Sequence, residues 1–548
     1  MSARTPLPKV PEAERTPLVD QLLVLIEQLI QESIRQAEVI QHLRDEIAVL
    51  KGEKGKPKFK ASGMERETEP DADADMKEGG PAVKKPPDKR PGSAKRSKTK
   101  ALTIHETITI APIQPIPPCS RFKGYRDHIV QNLTIQSHNV RYRIEVWQTP
   151  EGEWLHGELP ANLHGGHFGA ELRRYMLYQH HHCHVTQPLL HEQLTEWGVD
   201  LSKGQVDALL SDRNEKFFEE KDQILSTALE VSRSITVDDS GARHQGKNGY
   251  VTQIGNATFA WFSSTFSKSR INFLQLLQAG QTTYFINEDA LDYMSEQGLP
   301  LESLRRLGAH RMGEITDPKC WDAHLGALGV DAERHCRIAT EGALLGGLIE
   351  KGFSLDLAIV SDGAGQFAIL LHALCWVHAE RLVHKLIPLN DAHRLAQDQV
   401  RDEIWGLYAD LKAYQSNPKP AHAPLLETRF DEIFTQRTAF ETLNQTLKRL
   451  HAHKDELLLV LKRPDIPLHT NGSEGDIRGF VKWRKISGGT RSDLGRRCRD
   501  TFASLKITCR KLGISFWDYL NDRIEHTGSI PPLPNILRER ALAAAAMP

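Results

Sequence analysis

Cysteine is scarce in this chain, with seven residues among 548, at positions 119, 183, 320, 336, 375, 498 and 509, and no Cys-x-x-Cys pair. An odd and scattered set argues against a disulfide framework or a zinc ribbon and fits reduced thiols in a cytosolic protein. Long apolar runs are missing as well: none reaches the ~18–20 residues needed to cross a bilayer. The start of the chain lacks the basic-then-apolar pattern of a secretory leader. Nor is there an excess of either charge, since 70 Lys and Arg stand against 71 Asp and Glu. Any surface for nucleic acid must therefore be local. What is present is ordinary for a soluble, intracellular globular protein, with 39 % hydrophobic residues and 39 glycines. A collagen-like or wholly disordered chain is excluded, and the length allows about three or four folding units.

Residues 17–50 predict one helix. Leu22, Leu29, Gln36, Leu43 and Leu50 recur every seven residues, with Ile26, Ser33, Ile40 and Ile47 in the complementary series. Two interleaved heptad series make a leucine-zipper-like seam, and polar Gln36 and Ser33 would help to set register. The alternative is an amphipathic helix packed on its own domain. From 51 to 101 the composition turns to Lys, Glu, Asp, Pro and Gly with almost no aromatics, which predicts a disordered charged linker. Its basic tract, Lys84 to Lys100, either solvates the linker or touches phosphates.

Residues 102–230 predict a small β/helical region. Val140–Trp147 alternates like a strand, and Thr149–Glu153 supplies a turn before Trp154. Helical signals follow from about Gly169 to Leu229. Pro188–Leu194, Gly198 and a helix capped by Ser202 have the spacing of a DNA-binding helix-turn-helix or, equally, of a plain helical hairpin. The run His180–His184 cannot converge on one ion, and no second ligand cluster accompanies it, so packed or solvated histidines are expected.

Chemistry-bearing residues begin at Ile235. Ile235–Asp239 predicts a short strand ending in carboxylates, followed by strands at Tyr250–Ile254 and Thr258–Phe262 and a helix capped by Ser267. Leu355–Asp362 predicts a buried strand ending in an acid before Gly363-Ala-Gly365. Glu474 follows Thr470-Asn-Gly-Ser473 at the start of a basic helix. Three strands, a helix, a strand and a later acidic helix is the order of an RNase H-like fold. Three converging carboxylates repel unless cations neutralise them, and an all-oxygen set suits Mg²⁺ or Mn²⁺. A pair of such ions about 3.5–4 Å apart serves in-line phosphoryl transfer. Each acid alone would be an ordinary turn former or cap.

At these residues the chain resembles the IS66 family of DDE transposases, over about residues 120–525. Val237-Asp-Asp-Ser240 is similar to the family's first acidic strand end, and Ser361-Asp-Gly-Ala-Gly365 to its second. Cys375-Trp-Val-His378 with Arg381 resembles the Cys-Trp-Ala-His-x-Arg signature. Asn471, Glu474, Arg478, Arg484 and Lys485 match the third motif, where His469, Thr470 and Gly475 depart from it. The family's cysteine pairs near 119–155 are absent, so no zinc is expected.

The resemblance implies a metal-dependent DNA transposase of an insertion sequence. Asp238, Asp362 and Glu474 would be both the catalytic residues and the ligands of two Mg²⁺ or Mn²⁺ ions, with Asp239 as a further candidate ligand. Arg478, Lys482, Arg484, Lys485, Arg491, Arg496 and Arg497 would contact DNA, within a stretch (Asp476–Lys511) carrying eleven basic residues and three acids. Trp483 either packs in the core or stacks on a base; His378 and Arg381 either hold a phosphate or pack. The expected architecture is α/β: a coiled-coil helix (1–50), the linker (51–101), the DNA-binding region (102–230), an RNase H-like core of mixed sheet flanked by helices (231–525), and a C-terminal tail (526–548). Helical insertions fall at about 281–350 and 380–465, which accounts for the 124 residues between the two aspartates and the 112 from there to Glu474. Expected partners are element-end and target DNA, a second copy through 17–50 and small accessory proteins, but no membrane; the setting is bacterial, cytoplasmic and nucleoid-associated. Two alternatives are a catalytically inactive, transposase-derived DNA-binding protein and a nuclease that cuts without joining.

Overall fold

The computed structural model describes residues 104–114, 116–117, 120, 128–130, 132–159, 167–311 and 313–545, with Thr16, Val19 and Ile26 as isolated positions. The chain divides into two units, Met1–Ser97 and Lys98–Pro548, and every element below belongs to the second. The coiled coil expected over 17–50 and the linker over 51–101 lie outside the described residues, apart from Val19 and Ile26.

The strand expected over Val140–Trp147 is shorter than its alternation implies. Only β1 (Val146–Gln148) forms, antiparallel to β2 (Trp154–His156). Thr149 and Gly152 close the turn, with Gly152 at φ +89, a conformation that favours glycine. Among the described residues, the run upstream of β1 has no partner strand beyond one bond from the Gly157 amide to the Glu145 carbonyl. Four helices follow: α1 (Ala170–His181), α2 (Gln187–Glu196), α3 (Lys203–Ser211) and α4 (Glu215–Val231). The predicted turn between α2 and α3 is present. Gly198 adopts φ +78, and Ser202 with Gln205 forms a reciprocal capping box.

A meander of β3 (Ser234–Gly241), β4 (Tyr250–Gly255) and β5 (Ala260–Thr265) comes next, then α5 (Arg270–Leu277). Ser269, not Ser267, caps α5: its hydroxyl accepts from the Asn272 amide, while Ser267 accepts from the Asn272 side chain. The first helical insertion holds α6 (Glu288–Glu296), α7 (Leu301–Ala309), α8 (Pro318–Ala327) and α9 (Glu333–Glu350). Gly346 lets α9 approach closely, since a Cβ there would lie 2.3 Å from the Phe285 carbonyl oxygen.

Strand β6 (Ala358–Ser361) is buried throughout, as a strand covered on both faces should be. It begins later than expected, because Ser354–Leu357 forms a turn. A fifth strand, β7 (Leu371–Leu374), was not expected from the sequence. The second insertion comprises α10 (Trp376–His384), α11 (Asp391–Ser416), α12 (Ala423–Thr435), α13 (Glu441–His451), α14 (Lys454–Leu457) and α15 (Leu459–Lys462). The chain ends with α16 (Asn471–Ser487), α17 (Asp493–Lys511), α18 (Phe516–Glu525) and α19 (Leu533–Ala545).

The five strands make one mixed sheet in the order β5-β4-β3-β6-β7, antiparallel from β5 to β3 and parallel from β3 to β7. Helices cover it on both faces. One core unites Met176 of α1, Phe217 of α4, Ile235 of β3, Phe502 of α17 and Leu537 of α19. The boundary expected at 230 therefore does not divide the hydrophobic core; α1–α4 pack with the sheet. The expected tail, 526–548, is likewise corrected. Leu533 and Leu537 of α19 are buried against the body, and each such burial stabilises by roughly 1.5–3 kcal/mol. A second core lies under β6 and β7 with the α10–α13 helices, and a third joins β4 and β5 to α16 and α17.

Candidate active site

Parallel pairing of β3 with β6 matches Thr236 with Val360. Asp238 and Asp362 each lie two residues beyond that pair, so they sit at the same level on neighbouring strands: Asp362 just past the end of β6, and Asp238 still inside β3, which runs on to Gly241 beyond the strand end expected at Asp239 because it stays paired with β4. Helix α16 packs along β3, and the Ser473 and Thr236 hydroxyls meet at 2.5 Å, which brings the neighbouring Glu474 towards the strand end. The three predicted acids thus share one neighbourhood. Burial, helped by the charges of Asp362, Glu474 and Asp239 and opposed by a bond from the Asp239 amide, pushes the Asp238 carboxyl up to about 6.

Asp239 differs from its neighbour. Successive strand residues point to opposite faces. The Asp239 carboxylate accepts from Thr252 (2.5 Å) and Gln366 (2.8 Å) and lies 3.9 Å from Lys268 Nζ. Its ordinary partners make it a structural acid on the face away from α16.

Asp362 is exposed and accepts from the Ala364 amide, a tight turn that needs Gly363 at φ +90. A chain of hydrogen bonds braces the turn. The Gly363 amide donates to Ser361 Oγ, which lies 2.8 Å from His372 Nε2, and His372 Nδ1 lies 2.8 Å from Glu456 Oε1. Bonds to His372 and His453 outweigh burial and hold the Glu456 carboxyl below its usual range. An ionised carboxylate only accepts, so His372 donates from Nδ1 to Glu456. Sequence reasoning missed this chain together with β7. The signal was the apolar run Ile369–Leu374 with one histidine, directly before Cys375.

The Cys375–Arg381 motif also resolves into contacts. Cys375 takes its amide bond to Ser361, continuing the β6–β7 ladder, and the Trp376 indole donates to the Leu457 carbonyl in the buried core. His378 and Arg381, three apart on one face of α10, reach Glu474 Oε1 at 3.2 and 3.4 Å. Arg478 lies 3.3 Å from Glu474 Oε2. Glu474 is therefore held by three cationic or cationisable side chains, a role for His378 and Arg381 that the sequence left open.

Among the described residues no group of three His, Cys, Asp or Glu side chains is arranged to hold a metal ion. The donor set nonetheless fits one in kind. Its ligands are all carboxylates, and no described cation pairs with Asp238, so a hard divalent ion would offset the burial and the neighbouring charges that raise it.

The basic stretch is less uniformly external than its sequence implies. Arg499 is buried against Asp500 and the Phe480 ring, Lys506 donates to the His181 carbonyl, and Lys511 pairs with Asp476 at 2.6 Å. Arg478, Lys482, Lys485, Arg491 and Arg497 remain exposed, with Arg484 and Arg496 half-buried. Trp483 is buried, as is His181, which stacks on Phe502 at 4.1 Å. The histidine run is thus packed in part.

The family model described as "Transposase IS66 family" matches residues 351–497. That span takes in Asp362, the Cys375–Arg381 motif, Glu474 and most of the basic stretch, and leaves Asp238 outside. A protein of Sinorhizobium fredii (strain NBRC 101917 / NGR234), printed as "Uncharacterized protein y4jO", is 43 % identical over 321 residues, covering 58 % of this chain and 100 % of that protein. The chain belongs to the IS66 transposase family. No helix among the described residues is long and apolar enough to cross a membrane.

Proposed function

We propose that this IS66-family chain cuts DNA at the ends of its own element and joins the freed 3′-hydroxyls to target DNA. The observation that carries this is the convergence of three acids: the β3–β6 register puts Asp238 level with Asp362, and the Thr236–Ser473 contact brings Glu474 to the same strand, with Asp238 partly buried and no described cation on it. An RNase H-like core is supported by the strand order, with three antiparallel strands and then two parallel strands on the far side of the first. Asp238, Asp362 and Glu474 would hold two Mg²⁺ or Mn²⁺ ions. When bound, such ions lower the pKa of an attacking water and stabilise the leaving oxygen.

The protein's own groups orient the strand. Arg478, Lys482, Arg484, Lys485, Arg491, Arg496 and Arg497 offer cations to backbone phosphates. The Ser361–His372–Glu456 chain fixes the Asp362 turn, and His378 with Arg381 fixes Glu474. Hydrolysis at the element end and transfer to the target are both in-line displacements at phosphorus by an oxygen nucleophile, so one set of residues serves both. The heptads of 17–50 support assembly of at least two copies, with small accessory proteins as further partners, acting on the bacterial nucleoid in the cytoplasm.

A second reading, an inactive DNA-binding protein, is favoured by one observation. Glu474 already sits in ion pairs with Arg381 and Arg478, and His469, Thr470 and Gly475 depart from the family motif around it. A Mn²⁺-dependent cleavage and joining assay on DNA flanking the coding region separates the two. Joined product that disappears in Asp362→Asn supports the transposase; tight end binding with no nick in the wild-type protein supports the inactive binder.

A further inference from the structure

Outside the acid cluster, a cavity of about 480 Å³ opens between the α1–α3 helices and the junction of α16 with α17. This is within the range of small-ligand pockets. Pro188 and Leu210 give it apolar wall, and Arg484 and Arg491 contribute cations. Gly488 and Gly489 carry the backbone past it, Gly488 at φ +72 and Gly489 so close to Arg243 that a Cβ would lie 2.6 Å from its carbonyl oxygen.

Three lining residues carry buried polar atoms with no partner: the Trp483 indole Nε1, Arg499 Nη1 and both ring nitrogens of His181. These residues are 5 %, 5 % and 3 % exposed. An unpaired buried donor costs roughly 1–3 kcal/mol, so three in one wall are a strong demand for an outside acceptor. Burial, reinforced by His180, Lys506 and His184, keeps the His181 imidazole neutral, which leaves it one donor and one acceptor nitrogen. A flat ligand with alternating ring acceptors and donors, joined to a phosphate, matches this wall and the two arginines. The cavity is built by the same helix, α16, that carries Glu474.

We infer that this cavity takes a single unstacked base of the bound DNA, its edge on Trp483, His181 and Arg499 and its phosphate on Arg484 and Arg491. The inference deepens the transposase reading and rests on it for the identity of the ligand as DNA. A nucleotide held here would be pulled from the duplex, and base contacts of this type contribute ~1–3 kcal/mol per base.

The test uses the full chain without metal and two duplexes of identical flanking sequence, one fully paired and one with a single unpaired 2-aminopurine. The wild-type protein should bind the bulged duplex at least tenfold tighter and quench the aminopurine. Ser487→Trp places an indole at the exposed mouth of the cavity and should bring the affinity ratio to about one. Trp483→Phe keeps a ring but removes the donor and should lower the ratio severalfold. A ratio of one in the wild type, or a ratio unchanged by both variants, overturns the pocket. A tenfold ratio in a protein that never nicks DNA would overturn the cleavage reading and leave the pocket standing.

Discussion

Two regions of the molecule treat buried carboxylates in opposite ways. Near the end of α18, Asp522 accepts from the Thr527 hydroxyl, the Ser529 amide and hydroxyl and the Ile530 amide. Burial would raise it, but these bonds outweigh burial and hold it at about 2. Beside it Glu220 accepts from the Tyr519 hydroxyl, the Arg523 guanidinium and the Leu533 amide. Within β3, Asp238 accepts one bond, from its neighbour's amide, and burial together with the nearby acids leaves it at about 6. Acids that serve the fold are satisfied from within the chain. Asp238 is left short of partners, as expected where the missing partner comes from outside.

That contrast can be broken or sharpened by substitution. The largest effect should be on chemistry: Asp362→Asn and Asp238→Asn should each lower strand cleavage about a thousandfold or more, ~4 kcal/mol of barrier, with the circular dichroism spectrum kept. Next in size is Glu220→Ala, which strands the Arg523 charge in the core. Urea denaturation should show a loss of ~3–5 kcal/mol. Asp238→Asn should move stability the other way, a gain of ~1–2 kcal/mol in the same measurement, because it removes a crowded charge. A loss on Asp238→Asn would erase the distinction between the two regions.

The pH dependence is opposite in sign in the two regions. Asp238 has a folded pKa near 6, above the ~4 of an unfolded Asp. The folded state therefore binds more protons between those values, and this group's contribution to stability falls as pH rises from ~4 to ~6. Asp522, at about 2, contributes stability that is present above ~4 and lost as pH falls towards 2. Melting temperatures of the wild type, Asp238→Asn and Asp522→Asn across pH 2–7 would resolve the two windows.

Much of the site was legible because its elements are local. Ile235–Asp239, Tyr250–Ile254 and the segment from Asn471 carry their own apolar spacing, so β3, β4 and α16 could be read directly. What escaped depends on contacts remote in sequence. Strand β7 is four residues long and is defined by pairing with β6, and its His372 acquires a role only through Ser361 and Glu456. Glu474 was legible as an acid at a helix start, but its grip by His378 and Arg381 spans more than ninety residues. Residues 526–548 read as a tail because Pro531, Pro532 and an alanine run suggest little structure, yet Leu533 and Leu537 find the core. In the basic stretch, charge alone could not separate Arg497, lying over the Phe218 ring, from Lys511, turned inward onto Asp476.

Manganese binding tests the central claim most directly. Electron paramagnetic resonance of the full chain titrated with Mn²⁺ should show bound ion in the wild type. The signal should disappear when Asp238→Asn, Asp362→Asn and Glu474→Gln are combined in a protein that melts no lower than the wild type. Equal Mn²⁺ binding by both proteins, or none by either, would contradict a metal site built from these three acids.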